Sequence, residues 1–197
     1  GEEAHRYLEE DFTTLGPERD HRSSAPVRIK VWGSCREEMQ RITIRDARGE
    51  DLRESARLVV RMKRLNEEFD PLYKVVGDVE KRALKYLRES IGSKNTVLIV
   101  ASRGKRILGL LRAVLEDRVF YEPLMTGTIT DLYILPEARR KTMGNDMLQH
   151  GIKKLKRMGA EMITAEFPAQ NEIAVRFYHK RGFRALVNIL AKEEMGQ

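Results

Sequence analysis

Two stretches decide the fold: Thr130-Asp131-Leu132-Tyr133-Ile134-Leu135-Pro136-Glu137-Ala138-Arg139-Arg140-Lys141-Thr142-Met143-Gly144-Asn145, and Asn171-Glu172-Ile173-Ala174-Val175-Arg176-Phe177-Tyr178-His179-Lys180-Arg181-Gly182-Phe183. The first begins as an apolar strand, closed by Pro136, and then passes through a cationic loop into a helical pattern. Met147, Leu148, Ile152, Leu155 and Met158 recur at helical spacing, and Gly159 stops the run. A loop that feeds a helix N-terminus presents backbone N–H groups without intrahelical partners. The helix dipole adds to their positive potential, so the pair forms a cradle for an anion. Arg139, Arg140 and Lys141 beside that cradle suit a pyrophosphate or phosphate, and Gly144 allows close backbone approach. On the residues alone, a solvated basic turn before an ordinary helix fits equally well. The second stretch is a short amphipathic helix that Asn171 can cap and Gly182 stops, with Ala174, Phe177, Tyr178 and Phe183 inward.

Working outward, the spacing predicts a strand at 41–45, an amphipathic helix over 51–69 and a second helix over 79–91. Apolar strands follow at 96–102 and 107–115, joined at Arg103-Gly104-Lys105, then a strand at 127–135. After the helix of 145–158 come a strand at 161–167, a helix at 172–181 and a last strand at 183–191. The result is a mixed α/β (α+β) order, antiparallel in front with a βαβ unit behind. Residues 1–38 read as an extension to a domain of 39–197. Val27, Ile29 and Val31 alternate there with polar neighbours, which predicts a strand free to join the domain's own sheet or a neighbouring subunit in a homodimer.

The chain has 197 residues and a formal net charge of +7. Residues 1–38 carry 6 Lys/Arg against 9 Asp/Glu, whereas 139–184 carry 11 against 4, so the local surplus there is itself +7. An anionic partner is expected on that segment. Aromatics are only 7% and lie mostly away from the basic block, which argues against nucleic acid. Val97-Leu98-Ile99-Val100-Ala101 is the longest aliphatic run, far short of a bilayer span. No early signal-peptide pattern is present, and a cytoplasmic protein without membrane contact is expected. With one cysteine, Cys35, and four histidines without ligand spacing, neither a disulfide framework nor a metal site is expected.

Together, Arg139–Gly144 and Asn171–Phe183 resemble the signature of the general-control-related N-acetyltransferase (GNAT) superfamily. That signature reads Arg/Gln-x-x-Gly-x-Gly/Ala and then Asn-x-x-Ala-x-x-Phe/Leu-Tyr-x-Lys-x-Gly-Phe. The second motif matches at Asn171, Ala174, Phe177, Tyr178, Lys180, Gly182 and Phe183. The first departs once, with Thr142 in the place of a glycine, so that a Cβ and a hydroxyl crowd the cradle.

The resemblance, which spans about residues 40–192, implies a GNAT-like sheet, largely antiparallel, in which two central parallel strands splay apart and flanking helices cover the faces. It implies acetyl-coenzyme A as co-substrate, with its pantetheine arm along Tyr133, Ile134 and Leu135, where a backbone N–H would polarise the thioester carbonyl. Arg139, Arg140, Lys141, Thr142, Met143, Gly144 and Asn145 would hold the pyrophosphate, while Asn171 and Phe177 would line the arm. By the same likeness the activity is acetyl transfer to a primary amine by direct attack, with Tyr178 as acid toward the leaving thiolate. Asp131 and Glu166, on the two splayed strands, are candidates for the base. The acceptor stays open among protein lysine, a protein N-terminus, a polyamine and another small amine. The contrasting reading is an inactive module of the same fold that binds nucleic acid or a regulatory acyl-CoA.

Overall fold

A computed structural model describes residues 41–139 and 142–192. The expected extension 1–38, its strand at 27–31, Cys35, Arg140 and Lys141 lie outside the described residues. Chain order is β1 (Thr43–Asp46), α1 (Leu52–Glu67), α2 (Val79–Gly92), β2 (Thr96–Arg103), β3 (Arg106–Asp117), β4 (Met125–Ile134), α3 (Met143–Arg157), β5 (Met162–Ala165) and α4 (Glu172–His179). Spatial order in the sheet equals sequence order, β1-β2-β3-β4-β5. Every neighbour is antiparallel except the β4–β5 pair, whose strands run parallel on either side of α3. The mixed architecture expected from the sequence is therefore present.

Helices cover both faces of the sheet. Adjacent residues of a strand point to opposite faces, and on β3 they report this directly. Leu111 packs on Gly151 of α3, while the Arg112 guanidinium reaches Ser90 Oγ of α2 at 2.8 Å. The core lies between these layers. Leu87, Val97, Ile99, Val100, Leu110, Leu111, Met147, Leu148 and Leu155 are fully buried. At the entry to α1, the Asp51 carboxylate takes both arms of the Arg45 guanidinium at 2.6 and 2.9 Å and the Arg48 N–H at 2.7 Å. Burial pushes its carboxyl up, but these donors outweigh burial and hold it below its ordinary value.

One expected element is not formed. Residues 183–191 are not a strand, and the chain beyond α4 is irregular through Lys192. Phe183 turns back onto Tyr178, ring centroids 5.1 Å apart, and the residues after it meet no strand edge. Strand propensity describes fit to a neighbouring strand, and it creates none where the ladder partner is lacking.

Candidate active site

A fault in the β3–β4 register builds the site. Arg112 pairs with Asp131 and Ala113 with Ile129, so Thr130 is an extra residue on β4, a β-bulge. The bulge shifts the phase of everything after it. Before it, Gly127 faces α3, where an added Cβ would lie 2.8 Å from Leu155 Cδ1. After it, the Ile134 side chain, seven residues on, packs toward Gly144 at the start of α3. Thr130 and Asp131 both turn to the opposite face, under α1 and α2.

Backbone direction shifts with it. The Ile129 carbonyl accepts the Glu166 N–H at 3.0 Å, the last β4–β5 bond of that row, because β5 ends at Ala165. Leu135 N–H donates to Leu108 of β3 at 2.9 Å. Backbone groups alternate along an antiparallel strand, so Asp131, Tyr133 and Leu135 face β3 while Leu132 and Ile134 face the side that β5 has left. Of the three residues expected along a pantetheine arm, Ile134 alone thus offers its backbone to the opening. Tyr133 and Leu135 are committed to β3, and Leu132, not singled out from the sequence, takes their place. The Ile134 carbonyl accepts from Arg139 Nε at 3.2 Å, which folds that cation over the end of the strand.

α4 covers the fork. Asn171 Oδ1 accepts the Ala174 N–H at 3.0 Å, the expected cap, and leaves its NH2 free to donate. Phe177 packs on the first turn of α3: a Cβ on Gly144 would lie 3.1 Å from its ring. The close approach at Gly144 is thus made by an aromatic ring. Arg181 fixes the same corner, stacked 3.7 Å over Phe177, with Nε on Asn145 Oδ1 at 3.0 Å. Phe177 and the Asn145 side chain are therefore engaged in joining α3 to α4. Of the expected phosphate cradle, Thr142 is exposed before α3, Met143 is buried, and Gly144 and Asn145 are half-buried in its first turn.

Tyr178, 5% exposed, stacks parallel on Phe167 at 5.3 Å and meets Phe177 and Phe183 edge-on. Burial raises its phenol well above the ordinary value; the Arg181 charge lowers it in part, and the negative Asp131 raises it further. Its hydroxyl has no acceptor among the described residues.

Asp131, with a side chain wholly removed from solvent, is the centre of a polar cluster. Oδ1 takes Lys63 Nζ at 2.7 Å, and Oδ2 takes the Tyr86 hydroxyl at 2.6 Å and the Thr130 hydroxyl at 2.9 Å. Arg112 completes it, donating to Thr130 Oγ1 at 3.0 Å and lying 4.1 Å over the Tyr86 ring. Burial, then the Asp131 charge and hydrogen bond, push the Tyr86 phenol above its ordinary range. Lys63, Tyr86, Thr130 and Arg112 were not legible as a group, because each lies in a different element and none carries a motif. The other candidate base, Glu166, is exposed just past β5, and its carboxylate accepts no hydrogen bond among the described residues. Among those residues, no cluster of three or more His, Cys, Asp or Glu is arranged to hold a metal ion, and no helix is long and apolar enough to cross a membrane.

The sequence profile of the acetyltransferase (GNAT) family matches residues 62–183, from the Met62 turn of α1 to the residue after Gly182. The chain belongs to the GNAT family. No curated protein matches it. Among solved structures, the GNAT chain is similar to a transcriptional regulator from Bacillus halodurans C-125, with 24% identity and TM-score 0.62 over 78% of this chain and 100% of that one. It is similar to an aminoglycoside antibiotic 6'-N-acetyltransferase from Acinetobacter haemolyticus, with 15% identity and TM-score 0.61 over 79% and 99%. A predicted acetyltransferase from Clostridium acetobutylicum, solved with acetyl-CoA, matches with 16% identity and TM-score 0.62 over 78% and 96%. At these identities the likeness is one of fold.

Proposed function

We propose that this GNAT protein is an N-acetyltransferase that moves the acetyl group of acetyl-coenzyme A to a primary amine. The observation that carries the reading is the fork itself. Backbone groups of Leu132 and Ile134 are turned by the Thr130 bulge into the space beside β4, and the Tyr178 hydroxyl lacks an acceptor among the described residues.

The bound thioester supplies an activated acetyl group. The Leu132 and Ile134 edge of β4 pairs with the extended arm, and a backbone N–H there stabilises negative charge as it develops on the carbonyl oxygen. The free N–H groups of Met143, Gly144 and Asn145 and the cation of Arg139 face phosphate. Thr142, exposed and outside the helix, caps none of those N–H groups with its side chain. The acceptor nitrogen bonds to the acetyl carbon as the carbon–sulfur bond breaks. Tyr178 meets the departing sulfur. Its raised pKa keeps the phenol protonated and makes complete transfer to a thiolate of pKa about 8.5 unfavourable, so it stabilises the sulfur as a hydrogen-bond donor. The proton lost by the amine goes to Glu166 through water, because the Asp131 oxygens are buried and already engaged by three donors. Asp131 then acts as a positioning residue, fixing Lys63 of α1 and Tyr86 of α2.

A thiol-release assay with acetyl-coenzyme A against a panel of amines and peptides tests this. Tyr178→Phe and Glu166→Gln should each lower kcat on the order of 100-fold while affinity for coenzyme A holds. Absence of thiol release with every amine, together with salt-dependent binding of oligonucleotides, would sink the reading in favour of a non-catalytic module.

A further inference from the structure

On the sheet face turned away from α3, three strands set a carboxylate and two hydroxyls in a row. Gly127 points to α3, so its neighbour Thr128 points away from it. There the Thr128 hydroxyl donates to Glu116 Oε2 of β3 at 2.9 Å, and the Thr164 hydroxyl of β5 donates to Thr128 Oγ1 at 3.0 Å. Proton counting fixes the direction of the row. A carboxylate only accepts, so the single Thr128 proton is spent on Glu116 and the single Thr164 proton on Thr128. Thr164 Oγ1 is left with lone pairs alone, and no donor among the described residues reaches them.

Hydrogen bonds in such a row polarise one another, so the Glu116 charge makes the terminal oxygen a stronger acceptor. Thr128 is 5% exposed, whereas Thr164 is half-buried, so the row is closed in the middle and open at its β5 end. That end lies at the fork. Thr164 precedes Ala165, the last residue of β5, and the Glu166 N–H still continues the ladder to Ile129. The extended backbone sets Thr164 and Glu166 on one face, with Cα atoms about 6.5–7 Å apart.

We propose that Thr164 Oγ1 receives an N–H of the acceptor amine and thereby selects primary amines. The proposal rests on the acetyl-transfer reading and adds to it the group that orients the nucleophile. A neutral primary amine has two protons and a lone pair. One N–H donates to Thr164, which leaves the lone pair free for the acetyl carbon. As the nitrogen–carbon bond forms, the carbon–sulfur bond breaks and its electron pair leaves on sulfur, where Tyr178 donates. The second proton passes through water to Glu166. The amide product keeps the first proton and its bond to Thr164. A secondary amine must give up its only proton, and the polarised oxygen then has no donor. Thr128 and Glu116 touch only the row and are positioning residues.

Thiol release with n-butylamine and with a lysine peptide, each against its N-methylated counterpart, tests the proposal in wild type, Thr164→Val, Glu116→Gln and the double variant. Calorimetry with coenzyme A reports whether the fork is intact. Wild-type protein should favour the primary amines. Thr164→Val keeps the side-chain shape and should lower kcat/KM for primary amines about 10–100-fold, leave the N-methyl amines near their wild-type rates, and hold coenzyme A affinity. Glu116→Gln should lose less in the same sense, and the double variant should match Thr164→Val, because the charge acts only through the row. An unaltered preference for primary amines in Thr164→Val overturns the proposal, as do additive losses in the double variant or lost coenzyme A binding in Thr164→Val. Absence of thiol release with every primary amine refutes the transfer reading and this proposal with it. A wild-type protein that transfers acetyl groups without preferring primary amines refutes this proposal alone.

Discussion

Replacing Lys63 by Met keeps the aliphatic stem on α1 and removes only the ammonium from Asp131. The carboxylate left behind is wholly buried. Breaking a buried pair from one side costs about 3–5 kcal/mol, because an uncompensated charge remains. The Tyr86 and Thr130 hydroxyls, at 2.6 and 2.9 Å, still donate to it and offset part of that, leaving about 2–4 kcal/mol. Asp131→Asn works from the other side and is milder. The Lys63 side chain is 39% exposed and can turn its ammonium to water, and both hydroxyls keep an oxygen acceptor, so the expected cost is about 1–2 kcal/mol. The double variant holds no buried charge and should resemble Asp131→Asn alone, which makes it more stable than Lys63→Met. Urea unfolding at pH 7, followed by circular dichroism, measures all four proteins. In thermal melts, Lys63→Met should lose about 4–16 °C, given about 2–4 °C per kcal/mol in a domain of this size. Additive single effects, or an Asp131→Asn protein less stable than Lys63→Met, would refute the picture of a buried carboxylate neutralised by a semi-exposed lysine.

Gly127→Ala places a methyl 2.8 Å from Leu155 Cδ1 in the β4–α3 contact and should cost about 1–3 kcal/mol, recovered in part by Leu155→Ala when both are compared by melting. Gly144→Ala presses on Phe177, whose neighbour is Tyr178, so kcat in the thiol-release assay should fall more steeply than stability does. Tyr86 and Tyr178 both have pKa values raised in the folded state. The unfolded chain therefore loses these protons first, at about pH 10, and stability that is level below that pH should decline above it, less steeply in a Tyr86→Phe protein. Asp51 gives the opposite limb: its carboxyl is lowered, so its contribution is present above about pH 4 and fades as acid protonates the folded form. Arg45→Ala should flatten that limb in pH-dependent unfolding.

The helices and most strands were legible for a local reason. α3 shows apolar residues at helical spacing up to Gly159, and β2 and β3 are aliphatic runs interrupted by Gly104, so each element is specified by its own residues. The strand expected at 183–191 has an equally clear local signature and is not formed, because a strand also needs a neighbour that its own residues cannot supply. Asp131 and Tyr178 were singled out through position, one on a splayed strand and the other in a motif. What they touch was not found, since Lys63 lies 68 positions and Tyr86 45 positions before Asp131 in sequence.

The bulge at Thr130 is the least legible feature and the most consequential for the site. No glycine or proline marks it, and simple alternation through 127–135 assigns the wrong half of β4 to the opening. On that alternation, residues 131 and 133 would continue the row of Gly127 and Ile129 toward β5. One inserted residue moves Leu132 and Ile134 into that row instead, and it sends Asp131 under α1 and α2, where Lys63 and Tyr86 can reach it. A regular strand would set the acidic side chain on the α3 face, among Leu155 and Met147, with no cation to meet it. The same insertion thus turns the backbone edges of Leu132 and Ile134 away from β3 and makes a fully buried carboxylate tolerable. Restoring the register, by deleting Thr130, should therefore abolish coenzyme A binding and destabilise the domain together. A deletion variant that still binds coenzyme A, read by calorimetry, would separate the two consequences and remove the bulge from the site.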